Sequence, residues 1–181
     1  MNILVLVGSL RAGSANRALA QAAIAHLPEG ATATVFDRAA DLPHYSEDLD
    51  AADAVPAVAQ ELRAAIAAAD GLIFVTPEYN GSLSSVIKNL IDWASRPYGE
   101  AAIKDKPATV LAASVSPRGA QWARADAVRT LQVAGAAVDE ETFGLGPIGE
   151  GTFVDGRLGD EEAEASLRGL VTRLTSGLPV G

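Results

Sequence analysis

Three apolar runs, Ile3 to Val7, Gly71 to Val75 and Ala108 to Ala113, each break off into a polar, glycine-containing loop and then into a segment of helical periodicity. A short, almost wholly apolar run fits a strand covered on both faces, the kind found in parallel sheets with helices above and below. The remaining segments keep this alternation. Asn16 to Leu27 carry Leu19, Ala23 and Leu27 at four-residue spacing and stop at Pro28-Glu29-Gly30. Ala33 to Phe36 read as a short second strand, and Asp37 to Asp53 as a polar connection long enough to rim a site. Val55 to Ala69 place Val55, Val58, Leu62, Ile66 and Ala69 on one helical stripe. The helix ending near Ala94 carries Leu83, Ile87, Leu90 and Ile91, and Arg96-Pro97-Tyr98-Gly99 then breaks the pattern.

Trp122 to Ala134 read as a helix stopped by Gly135, and Ala136 to Val138 with Thr142-Phe143 as a weak last strand. Gly144 to Gly159 are too glycine-rich for a regular element through most of their length; they either cover a cleft or simply connect two elements. Asp160 is placed to cap a last helix bearing Ala163, Leu167, Leu170, Val171 and Leu174. Five strands and five helices in alternation predict an α/β fold, doubly wound, in which a five-stranded parallel sheet has helices on both faces. The chain is expected to form a single domain over residues 1–181. With right-handed crossovers, this length and strand count favour the order 2-1-3-4-5.

Composition narrows the chemistry. There is no cysteine, so disulfides, thiolate nucleophiles and iron-sulfur ligation are excluded. The two histidines, His26 and His44, have no HExxH or carboxylate cluster around them and read as surface or half-buried side chains, so no metal site is expected. Asp and Glu outnumber Lys and Arg 23 to 14, a formal charge of -9, which disfavours a generic nucleic-acid partner. The apolar start is too short for a membrane span and lacks the flanks of a secretory signal, so no membrane insertion and a cytoplasmic setting are expected.

The loops at the strand ends carry the candidate site, because ligands of open α/β sheets settle outside the carboxyl ends of the strands. After the first run come Ser9, Arg11, Ser14, Asn16 and Arg17, immediately before a helix. Helix-start amides, two hydroxyls, an amide and two guanidinium groups suit the oxygens of a phosphomonoester. The spacing matches neither GxxxxGK[ST] nor GxGxxG, and a plain capped helix start with a surface arginine is the alternative. In Thr76-Pro77-Glu78-Tyr79-Asn80-Gly81, proline limits backbone freedom and Asn-Gly adopts turn conformations that leave amides outward, suited to the polar edge of a flat heteroaromatic ring. Tyr79 is either a packed rim residue or a stacking surface. In the third loop Ser114, Ser116 and Gly119 are candidates for close contacts, and Arg118 either meets a phosphate or stays in solvent. Trp93, Tyr98 and Trp122 read as core or rim aromatics.

Gly8-Ser9-Leu10-Arg11, Ser14, Asn16-Arg17 and Leu19, with Thr76 to Ser82 and Lys88-Asn89-Leu90-Ile91-Asp92-Trp93-Ala94-Ser95-Arg96, resemble the NAD(P)H-dependent FMN reductase family. Leu42-Pro43 and the acidic segment after it also resemble the family's region beyond its second strand. Members of that family include quinone, chromate and azo-dye reductases with a flavodoxin-like fold. The resemblance implies that Ser9, Arg11, Ser14, Asn16 and Arg17 surround the FMN phosphate. It implies that Pro77, Glu78, Tyr79, Asn80 and Gly81 line the isoalloxazine, chiefly through backbone, with Ser114, Ser116 and Gly119 in the matching third loop. Family members often carry a glycine pair there, where this chain has Pro117-Arg118-Gly119-Ala120. The implied activity is ping-pong transfer of electrons from NADH or NADPH through FMN N5 to a quinone-like or other small-molecule electron acceptor, with no protein nucleophile. The implied assembly is a homodimer or homotetramer, with the helix after the Thr76 loop near the interface. Two other readings fit the same loops: a flavodoxin-like electron carrier without substantial NAD(P)H turnover, and a flavin-free protein binding another phosphorylated ligand.

Overall fold

The computed structural model describes residues 1–51 and 53–177. Residue 52 of the expected polar connection and residues 178–181 of the expected single unit lie outside the described residues. The chain runs β1 (Asn2–Val7), α1 (Ala15–Ile24), β2 (Thr32–Val35), α2 (Ala57–Ala68), β3 (Gly71–Val75), β4 (Glu78–Tyr79), β5 (Ser82–Leu83) and α3 (Ser85–Ala94). It continues with β6 (Pro107–Ala113), α4 (Gln121–Ala134), β7 (Ala137–Val138), β8 (Phe143–Leu145), β9 (Phe153–Val154), β10 (Arg157–Leu158) and α5 (Glu161–Thr175).

The main sheet is parallel in the order β2-β1-β3-β6-β7, with β8 also paired to β6. Counted by position in the sheet this is the expected 2-1-3-4-5, its fifth strand split in two. β7 pairs with Pro107 and Ala108, and β8 with Leu111 to Ala113 further along the same neighbour. The strand therefore extends past Phe143 into Gly144 and Leu145, and β9 and β10 form a small antiparallel hairpin within the glycine-rich stretch.

Period-two alternation assigns the two faces. Leu4 and Leu6 of β1, Leu72 and Phe74 of β3, and Ala108 and Val110 of β6 join Leu62, Ile66, Ile87, Leu90, Trp93 and Leu131 on the face covered by α2, α3 and α4. Ile3, Val5 and Val7, with Ile73, Val75, Leu111 and Ala113, join Leu19, Leu167, Leu170 and Val171 on the face covered by α1 and α5. Each fully buried Leu, Ile or Phe contributes roughly 1.5–3 kcal/mol, so central strands buried on both faces anchor the loops that leave their ends.

Three helix starts are set by the side chain of their own cap residue. Ser14 accepts from Asn16 N at α1 and Ser84 from Ile87 N at α3. Asp160 accepts from Ala163 N at α5, where Glu161, Glu162 and Glu164 also complement the helix dipole. No helix among the described residues is long and apolar enough to cross a membrane.

Candidate functional site

The loops after β1, β3 and β6 leave the same edge of the sheet and are fastened to one another. Gly8 N donates to Val75 O at 2.8 Å, extending the β1–β3 pairing into the first loop. A Cβ on Gly8 would lie 2.4 Å from Ser84 Oγ and 2.5 Å from Ile87 Cγ1, so only glycine lets the first loop cross the start of α3. Asn16 is buried, and its side-chain amide donates to Ala113 O at 3.0 Å and accepts from Ala113 N at 2.8 Å. The amide thus acts as a two-bond clasp between α1 and the end of β6.

The segment after β3 folds into a hairpin. β4 and β5 pair antiparallel around Asn80 and Gly81, both at positive φ, 51° and 73°; two such residues match the tight turn that Asn-Gly favours. Most of its polar side chains point into the scaffold. Thr76 Oγ1 donates to Pro77 O at 2.9 Å and accepts from Ser84 N at 3.1 Å. Ser82 Oγ donates to Asp126 Oδ2 on α4 at 2.7 Å. Glu78 Oε2 accepts from Trp122 N at 3.0 Å and Ala123 N at 3.1 Å. Glu78 thereby caps α4 from another loop, because Ala120 at the cap position is left-handed and offers no side-chain bond. Pro77 is buried, while Tyr79 and Asn80 are exposed.

The third loop is held by its own serines and by glycines. Ser114 Oγ accepts from Ser116 N at 3.1 Å, Ser116 Oγ from Arg118 N at 3.3 Å, and Ser114 N donates to Leu145 O at 2.9 Å. A Cβ on Gly119 would meet Gly144 C at 2.7 Å, and one on Gly146 would meet Ser116 O at 2.2 Å. Gly119 is therefore placed by close backbone contact with β8. Arg124 closes the arrangement: Nε donates to Gly119 O at 2.9 Å, and the guanidinium also bonds Thr142. Burial lowers the Arg124 pKa, Glu78 opposing the shift, and the group stays charged because arginine starts so high.

Residues 1–147 match the family described as NADPH-dependent FMN reductase. The chain belongs to the NADPH-dependent FMN reductase family. It is accordingly an oxidoreductase that uses FMN and NAD(P)H. It is 44% identical over 131 residues to an NAD(P)H-dependent FMN reductase of Pseudomonas aeruginosa, covering 72% of this chain and 69% of that one. It is 43% identical over 119 residues to a 2-hydroxy-1,4-benzoquinone reductase of a Burkholderia species, covering 66% and 63%, so the match spans less than two thirds of the latter. Among solved structures it is similar to FerB, an NAD(P)H:acceptor oxidoreductase of Paracoccus denitrificans, with a TM-score of 0.87 and 32% identity over 97% of this chain and 95% of that one.

The donor set of this FMN reductase suits an FMN phosphate. Arg11 is exposed and Arg17 half-buried, neither paired with a carboxylate among the described residues. Ser9, just after β1, and Ser14, the cap of α1, are buried. Arg11, Gly13, Ser14 and Arg17 line an open groove of about 590 Å³, whose far wall includes Val115, Ile148, Gly149 and Phe153. The glycine-rich stretch thus connects β8 to α5 and also walls this groove. Among the described residues no group of three or more His, Cys, Asp or Glu side chains is arranged to hold a metal ion. His44 is exposed, whereas His26 is mostly buried, with Nε2 3.0 Å from Glu164 Oε1, a neighbour that sequence spacing did not suggest.

Of the expected site residues, the structure leaves Arg11, Arg17, Tyr79 and the Asn80-Gly81 turn facing outward, and commits the side chains of Asn16 and Glu78 to joining the loops. The parts that sequence reasoning missed are Arg124, Ser84 and the Gly144-x-Gly146 pair. Glycine at alternate positions after a weak strand was the available signal, since it marks a strand approached closely by another backbone.

Proposed function

We propose that this chain acts as one domain and catalyses ping-pong electron transfer from NADH or NADPH through FMN to a quinone-like small acceptor. When bound, FMN would supply the hydride chemistry between the nicotinamide and the acceptor. The protein's share is positioning. Arg11 and Arg17, with the hydroxyls of Ser9 and Ser14, would hold the phosphate at the start of α1. The Asn80-Gly81 turn presents backbone groups to the ring edge, and Pro77 stiffens its base. Ser114, Ser116 and Gly119 shape the opposite wall.

The observation that carries this reading is the clasped arrangement of the loops, with two arginines that have no carboxylate partner among the described residues at one end and an outward, positive-φ turn at the other. Donor and acceptor visit the same open face in turn, so no side-chain acid or nucleophile is required. A groove of about 680 Å³ lined by Ile91 of α3, Val133 of α4 and Arg96 of the segment after α3 supports association of copies through the α3 side as a dimer or tetramer.

The test is spectroscopic. The purified protein loaded with FMN should bleach on anaerobic addition of NADH or NADPH and recover its colour on adding a quinone. Bleaching without steady-state quinone turnover would point to an electron carrier, and failure to bind FMN would remove the reading.

A further inference from the structure

Large exposed apolar side chains lie on the segments at the ligand edge of the sheet: Leu10 on the first loop is 51% exposed, Tyr79 of β4 57%, Val115 on the third loop 78% and Trp122 in the first turn of α4 53%. Trp122 is the one held in place from several sides. Its backbone N is fixed by Glu78 at 3.0 Å. Its ring lies against the hairpin turn, where a Cβ on Gly81 would be 3.3 Å from Cε3. Above the ring sits the Arg118 guanidinium, 5.1 Å from the centroid. A surface indole pinned this way loses side-chain freedom without being buried, which suits a surface kept ready for a flat partner.

Arg118 adds a sign to that surface. It is exposed and has no carboxylate partner among the described residues, although the chain is acidic overall. Stacking on Trp122 orients the guanidinium while leaving N–H groups free for an anion. Arg11 on the first loop and Arg17 in the first turn of α1, likewise without carboxylate partners among the described residues, lie at the same edge, while the nearby Glu78 carboxylate is engaged by the α4 amides.

We propose that Trp122 and Arg118 form a recognition rim beside the Asn80-Gly81 turn that selects flat aromatic electron acceptors carrying a negative charge, the ring resting on the indole edge and the anionic group meeting Arg118. The proposal rests on the FMN-dependent quinone reductase reading above and names the acceptor class of that same site. Trp122 and Arg118 are specificity residues that touch the acceptor, and they take no part in the hydride chemistry.

The experiment compares naphthoquinone with its sulfonate as acceptors, at saturating NADH or NADPH, for the FMN-loaded protein and its Arg118→Gln, Arg118→Lys and Trp122→Ala variants. Wild-type protein should show the higher kcat/KM with the sulfonate. Arg118→Gln should lower the sulfonate-to-naphthoquinone ratio of kcat/KM by about five- to tenfold through KM. Arg118→Lys should restore part of the ratio, and added salt should reduce it in the wild type. Trp122→Ala should raise KM for both acceptors and lower the ratio less.

Wild-type turnover of both acceptors with a ratio that Arg118→Gln leaves intact overturns the proposal and leaves the reductase reading standing. A rise in KM for the nicotinamide donor with an unchanged acceptor ratio overturns it in favour of the donor's phosphates. Failure of the wild type to reduce either quinone overturns the reductase reading and the proposal with it.

Discussion

The loop after β1 and the hairpin after β3 leave neighbouring parallel strands and treat their polar side chains in opposite ways. The first, with the opening turn of α1, carries an exposed Arg11 and a half-buried Arg17 that have no carboxylate partner among the described residues. The second directs Thr76, Glu78 and Ser82 into bonds with the scaffold and presents a backbone turn. Charge on flexible side chains suits a small anion that accepts bonds from several directions, whereas a stiff backbone edge suits a flat ring with a fixed donor and acceptor pattern. One sheet edge therefore offers two modes of recognition, and in the proposed reading each serves one end of FMN.

The sharpest way to break this contrast is to release the clasp that holds the two modes in register. Asn16→Leu leaves the buried N–H and C=O of Ala113 unpaired and is expected to destabilise the fold by about 2–4 kcal/mol, read from the urea midpoint. A smaller effect should come from the hairpin itself. Gly81→Ala must adopt positive φ with its Cβ 3.3 Å from Trp122, and should cost about 1–2 kcal/mol and weaken FMN binding measured by titration.

Glu78→Ala removes the cap of α4 and is expected to lower stability by about 1 kcal/mol, seen as a shift in thermal midpoint. The smallest effect is a pH dependence at Asp126. The Ser82 hydroxyl first, then Arg129, holds this carboxylate below its ordinary pKa. Its contribution is present above the unfolded-state value of about 3.9 and is lost as pH falls through the lower folded value. The stability gap between wild type and Asp126→Asn should accordingly narrow from pH 7 towards pH 2–3, a difference kept modest by solvent screening.

The sequence made the central strands legible because they are apolar on both faces, and the starts of α1 and α5 because Ser14 and Asp160 are ordinary caps. It also marked the Asn80-Gly81 turn, which needs those residue types for its backbone angles. Asn16 and Glu78 were legible as polar residues near a site, but the partners that fix their side chains, Ala113 and the α4 amides, lie 97 and 44–45 positions away. The split fifth strand was half legible: β7 and β8 are short, and what extends the second piece is pairing with β6, a tertiary contact with no local pattern. The start of α3 at Ser85 rather than at Leu83 has the same cause, since Leu83 is drawn into the hairpin opposite Glu78.

The division of labour between the two loops is tested most directly by titrating apoprotein with FMN and with riboflavin, which has the same ring and no phosphate, in the wild type and in Arg11→Ala. The account predicts that the wild type prefers FMN strongly and that Arg11→Ala weakens FMN by about 10- to 100-fold while riboflavin binding changes little. Equal wild-type affinity for the two flavins, or an Arg11→Ala protein that keeps the full preference for FMN, would contradict it.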